Sequence, residues 1–159
     1  MRNSTFAVPR ENRYFEDYVV GSIHEFGSIA VTEEEVIAFA RRYDPQVFHI
    51  DPAAAKNTHF GGLIASGWLT AGLMMRLLVD NVVSGVASLG SPGVNDLRWL
   101  KPVRPGDELS IRVTIQETRR SRSKPDRGAV GLFVEVMNQS REVVMTMQSV
   151  GMYLCREKE

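Results

Sequence analysis

The second half of the chain alternates. Leu109, Ile111, Val113 and Ile115 are separated by Ser110, Arg112, Thr114 and Gln116, and Val130, Leu132, Val134 and Val136 repeat the two-residue period. A period of two sends successive side chains to opposite faces of a pleated strand, so both segments are predicted as half-buried β-strands. Asn138-Gln139-Ser140 separates the second from a third at Val143 to Leu154, and the three are expected in antiparallel order. Val94 to Lys101 is a further strand, leading into Arg104-Pro105-Gly106-Asp107, where proline at the second place and glycine at the third specify a type II turn. Ile23, Phe26 and Ile29 to Val31 mark a first strand.

Between the first strand and these lies helical spacing. Thr32-Glu33-Glu34-Glu35 is a capping box, in which the Thr32 hydroxyl takes the Glu35 amide, and Val36, Phe39, Ala40 and Tyr43 follow at intervals of three and four. Arg41 and Arg42 suit the negative end of that helix, and Asp44-Pro45 stops it. Asp51-Pro52 opens a short helix over Ala53 to Ala55. Gly61-Gly62 breaks the chain, and Ser66-Gly67 then starts an apolar run through Trp68, Leu73, Met74 and Leu78 to Val83. A helix over this run is about 25 Å long and apolar nearly all round, so protein must surround it. Four or five antiparallel strands need one face covered, and this helix is the element that covers it. The expected fold class is α+β, a curved antiparallel sheet wrapped around a long central helix. One sheet covers one side of such a helix, so a homodimer, or a dimer of dimers, is expected.

A length of 159 residues gives room for one domain spanning 1–159, with 1–17 as a polar N-terminal arm lying over the body. Nineteen basic residues balance nineteen acidic ones, which leaves no electrostatic footprint for nucleic acid. The lone Cys155 excludes an intrachain disulfide and a thiolate metal cage. Without an apolar leader the default location is cytoplasmic. Arg76, Asp80 and Asn81 interrupt the most apolar window, so no membrane span is expected.

The cluster best suited to chemistry is Tyr43 to Asp51, where Asp44 and His49 stand five apart across a turn. A carboxylate and an imidazole directed into one cleft can hold a water and move its protons. The same residues also fit plainer roles, Asp44 as a helix terminator and His49 as a hydrogen-bonded core histidine. Ser66-Gly67 opens the long helix, whose first amides have no intrahelical acceptor and lie at the positive end of the dipole, which suits an oxyanion. Ser66 equally fits an ordinary N-cap.

Asp44, His49 and Asp51, the run Phe60-Gly61-Gly62-Leu63-Ile64-Ala65-Ser66-Gly67-Trp68, and Leu97-Arg98-Trp99-Leu100-Lys101-Pro102-Val103-Arg104-Pro105-Gly106-Asp107 together resemble the MaoC-like hydratases. That family includes the R-specific enoyl-CoA hydratases of the hotdog fold. The resemblance covers nearly the whole chain. It implies a hydro-lyase that reversibly hydrates trans-2-enoyl-CoA to 3-hydroxyacyl-CoA. Asp44 and His49 would hold the catalytic water, and the Gly67 amide would receive the thioester oxygen. It further implies an acyl-CoA pocket formed by Gln46, Phe60, Gly62, Ile64, Ser66 and Trp68, and no metal or cofactor beyond the coenzyme A of the substrate itself. The chain departs from the better-known pattern after the acid: Pro45 follows directly, Gln46 stands where asparagine is usual, and Val47 replaces proline.

Two other readings use the same fold: an acyl-CoA thioesterase, and a non-catalytic acyl-CoA binding subunit. The first is disfavoured because the central helix carries no glutamate, the second because a pure binder gains nothing from a buried charged pair. Arg119 to Arg127 carries five cations in nine residues, a solvated hairpin tip that also suits phosphate, and Arg104 on the Pro-Gly turn is a similar candidate.

Overall fold

In the computed structural model, which describes residues 6–157, the alternating segments form a single antiparallel sheet. Its strands are β1 (Ile23–Ala30), β2 (Gly93–Trp99), β3 (Glu108–Arg120), β4 (Arg127–Met137) and β5 (Val143–Leu154), in the order β1-β3-β4-β5-β2. The helices are α1 (Glu33–Tyr43), α2 (Val47–Ile50), α3 (Pro52–Ala55) and α4 (Gly67–Asn81). Ile111, Val113, Ile115, Val130, Val134 and Val136 all turn inward and are buried, as their period requires. They pack against Leu69, Leu73, Met74, Leu77 and Leu78 of α4, so the sheet wraps the long helix in the α+β arrangement expected.

Local signals set the boundaries. The Thr32 hydroxyl accepts from the Glu35 amide at the start of α1, and Asp51 accepts from the Ala54 amide at the start of α3. In the Arg104–Asp107 turn, Gly106 takes a φ of +93° and the Asp107 amide closes onto the Arg104 carbonyl at 3.0 Å. The turn also meets Val31 through two backbone bonds of 2.8 Å, which ties the β1–α1 junction to the start of β3.

Several expectations change. The β3–β4 hairpin is longer than its alternation, so Arg119, Arg120 and Arg127 lie on strands rather than in a loop. The central helix stops at Asn81, short of Val83. Arg13 from the arm donates to the carbonyls of Asn81 and Val82 at 2.9 and 2.8 Å, and the Tyr18 hydroxyl also takes Val82. These donors satisfy the carbonyls that end the helix. The arm's first five residues fall outside the described ones, and its Phe15 ring packs against Gly128 of β4. As expected of one sheet, it reaches one side of α4, and Trp68, Met75 and Val79 stay exposed. Among the described residues strand β2 pairs with β5 alone and leaves its other edge open beside exposed Val94, Trp99 and Leu100. Among the described residues no helix is long and apolar enough to cross a membrane.

Candidate active site

The stretch between α1 and α3, read from sequence as a turn, contains a helical turn of its own, α2, and this sets the direction of His49. Asp44 caps the C-terminus of α1, and the Gln46 amide bonds back to its carbonyl at 2.8 Å. Gln46 then caps α2, so His49 falls inward, buried. The segment 63–65 runs alongside: the Ile64 amide donates to the Phe48 carbonyl at 3.0 Å, and the Ala65 amide to that of Val103 at 2.8 Å. Its next residue, Ser66, is fully buried at the start of α4.

Three side chains converge on the Asp44 carboxylate. Gln46 Nε2 donates to Oδ1 at 2.8 Å, Ser66 Oγ donates to Oδ2 at 2.8 Å, and His49 Nε2 lies 3.2 Å from Oδ2. Partial burial works against the Asp44 charge, but the bonds from Gln46 and Ser66 and the adjacent imidazole outweigh it and hold its carboxyl below the usual range. His49 Nδ1 lies 2.7 Å from the Ile64 carbonyl. A carbonyl only accepts, so Nδ1 carries the hydrogen, and the neutral ring presents its Nε2 lone pair to the carboxylate. Two lone pairs facing at 3.2 Å repel, whereas one proton on either turns the contact into a hydrogen bond.

Asp44 and His49 line a cavity of about 510 Å³ together with Gly67, Trp68 and Trp99. Among the described residues no acceptor meets the Gly67 amide, as expected at a helix start. Trp99 Nε1 donates to the Gly67 carbonyl at 2.9 Å, and its indole lies flush against the Gly67 α-carbon. A glycine is required there by close approach rather than by dihedral angle. Trp68 meets Trp99 edge-on at 5.0 Å.

Of the other pocket residues expected, Gln46, Phe60, Ile64 and Trp68 line the cavity. Ser66 reaches it through Asp44. Gly62 is not in the lining and sits against Arg104 instead. The Arg104 guanidinium donates to the Phe60 carbonyl at 2.6 Å and so braces the wall.

Residues 20–138 match the model of the MaoC-like domain. The chain belongs to the MaoC-like domain family. This MaoC-like domain is 37% identical to a MaoC-like dehydratase from Rhodospirillum rubrum of solved structure, with a TM-score of 0.82 over 92% of this chain and 100% of that one. It is 29% identical to an (R)-hydratase from A. caviae involved in PHA biosynthesis, with a TM-score of 0.68 over 86% of this chain and 97% of that one. A 3-hydroxybutyryl-CoA dehydratase from Methylorubrum extorquens is 33% identical over 105 residues, 65% of this chain and 64% of the relative. Several curated relatives are matched over less than two thirds of their own length. The fold is that of the hotdog hydratases and dehydratases of the family.

In this MaoC-like domain the residues that sequence reasoning missed are Phe48, Ala65, Thr70, Trp99 and the segment 100–103, all in the cavity wall. Thr70 had a signal, standing one turn into α4 from Ser66. Trp99 read as a strand residue, and nothing local links it to a glycine 32 positions earlier.

Proposed function

We propose that this protein catalyses the reversible addition of water to trans-2-enoyl-CoA, giving 3-hydroxyacyl-CoA. The observation that carries this reading is the convergence of Asp44 and His49 in a cavity that Gly67 also lines, with the Gly67 amide unpaired among the described residues. A water held by the Asp44 carboxylate and His49 Nε2 adds through its oxygen to C3 while the pair accepts one of its protons. The thioester carbonyl becomes an enolate, and its oxygen is received by the Gly67 N–H at the positive end of α4. The pair then delivers a proton to C2, completing H and OH across the double bond. The two groups act as one acid–base unit. Water addition to an activated thioester is redox-neutral, so the reaction calls for no electron-carrying cofactor.

Gln46 and Ser66 keep the carboxylate ionised, and Phe60, Ile64 and Trp99 supply apolar walls for the acyl group. The reading agrees with the names of the relatives, a hydratase and two dehydratases. The working form is a homodimer joined through the open edge of β2, which would cover Val94 and Leu100.

The test is loss of the conjugated thioester absorbance when the protein meets crotonyl-CoA. Asp44→Asn keeps the shape but removes the base, and the rate is expected to fall by roughly 10²- to 10⁴-fold. Full activity in that variant, or release of free thiol instead of hydration, overturns the reading.

A further inference from the structure

The strongest concentration of charge lies far from this site, at the tip of the β3–β4 hairpin. The chain as a whole is neutral, yet Arg119, Arg120, Arg122, Lys124 and Arg127 gather there. The one carboxylate of the tip, Asp126, is already held by both arms of Arg127, at 2.8 and 3.0 Å. Arg120 Nε is engaged by the Pro125 carbonyl at 2.7 Å. Arg119, Arg122 and Lys124 take no carboxylate among the described ion pairs.

The tip is shaped as well as charged. Ser121 accepts from the Lys124 amide at 3.1 Å, its own amide donates to Arg127, and its hydroxyl lies 3.5 Å from that of Ser123. Arg119, Arg122 and the two serines border a cavity of about 520 Å³, floored by Ala129 and Met152. Guanidinium forks and hydroxyl donors around a small apolar floor match a phosphorylated nucleotide, in which planar bidentate donors meet phosphate oxygens and the base rests on the floor. Self-repulsion among five cations with one carboxylate between them is a standing cost that a bound polyanion removes.

We propose that this tip binds the phosphorylated nucleotide end of coenzyme A, and that it serves the candidate site of a second copy of the chain. The inference rests on the hydration reading and on the dimer through β2. Within one chain, Trp99 pairs with Met145 and Arg127 with Leu154, nine residues along β5 and roughly 30 Å apart. The tip and the Asp44 cavity therefore lie at opposite ends of the sheet. Antiparallel pairing at the open β2 edge reverses one sheet against the other, which brings the tip of one copy to the end where the other opens its cavity.

The experiment compares wild type with Arg119→Ala/Arg122→Ala. Calorimetric titration with adenosine 3′,5′-bisphosphate needs no turnover and so stands even if the hydration reading fails. The variant is expected to bind it roughly ten- to a hundredfold more weakly. Kinetics with crotonyl-CoA and crotonyl-N-acetylcysteamine, which lacks phosphates, should show the preference for the CoA ester falling by a similar factor, through KM. Equal bisphosphate affinity in both proteins, inorganic phosphate binding as tightly as the bisphosphate, or an unchanged preference overturns the assignment. Co-expressing Asp44→Asn chains with the double variant tests the geometry: mixed dimers should regain a wild-type KM in half their sites, and no recovery overturns service across the dimer.

Discussion

Replacing Gly67 by alanine puts a methyl group 2.6 Å from Trp99 Nε1 and 2.7 Å from its Cδ2, well inside the roughly 3.5–4.0 Å of ordinary carbon contact. The helix cannot retreat, because Ser66 is fully buried and bonded to Asp44, so the half-exposed indole must swing away. That movement breaks the 2.9 Å bond to the Gly67 carbonyl, about 1 kcal/mol, and the edge contact with Trp68, about 0.5–1 kcal/mol. Alanine in place of glycine in a helix returns up to about 1 kcal/mol. The balance is a loss of about 1 kcal/mol or less, worth roughly 2–4 °C in Tm for a chain of this size. The protein therefore stays folded, and the damage falls on the cavity, which loses a wall and the anchor of its helix amide. Hydration of crotonyl-CoA is expected to slow by roughly ten- to a hundredfold, the scale set by misplacement of about 1 Å. Fluorescence in a Trp68→Phe background isolates Trp99 and should report a more solvated indole. Adding Trp99→Leu removes the collision, so the two substitutions should couple by about 1 kcal/mol in stability. Unchanged Trp99 emission in Gly67→Ala, or additive effects in the double variant, would refute the reasoning.

Ser66→Ala removes a donor to the Asp44 charge, so its pKa rises and the acid limb of the pH–rate profile moves to higher pH; a limb that stays put contradicts the role given to Ser66. Arg13→Ala strips a buried donor from the carbonyls of Asn81, Val82 and Val8 and should cost about 2–4 kcal/mol in urea unfolding, with Arg13→Lys recovering part of it. Glu25 is held at a pKa of about 2, chiefly by its bond from Arg141, with burial opposing and Arg112 adding a second donor. A depressed carboxyl stabilises the fold above its unfolded pKa and loses that contribution as pH falls from about 4.5 to about 2. Glu25→Gln should therefore cost about 1–2 kcal/mol at pH 7, after allowance for solvent screening, and almost nothing at pH 2, as denaturation at both pH values will show.

What the sequence determined by itself is what depends on neighbouring residues. The period of Leu109 to Ile115 decides which side chains face inward, Thr32 and Asp51 decide where helices begin, and Gly106 decides the turn before β3, since each is a rule acting over a few positions. Asp44, His49 and Gly67 were legible as chemistry because their types and spacing resemble a known family. The tertiary structure alone decided what each one touches. Ser66 reaches Asp44 across 22 positions, the Ile64 carbonyl selects the His49 tautomer across 15, Trp99 closes on Gly67 across 32, and Arg13 ends α4 from 68 positions away. Such contacts follow from how the loops fold back over the sheet, and a pattern read along the chain holds no measure of that distance.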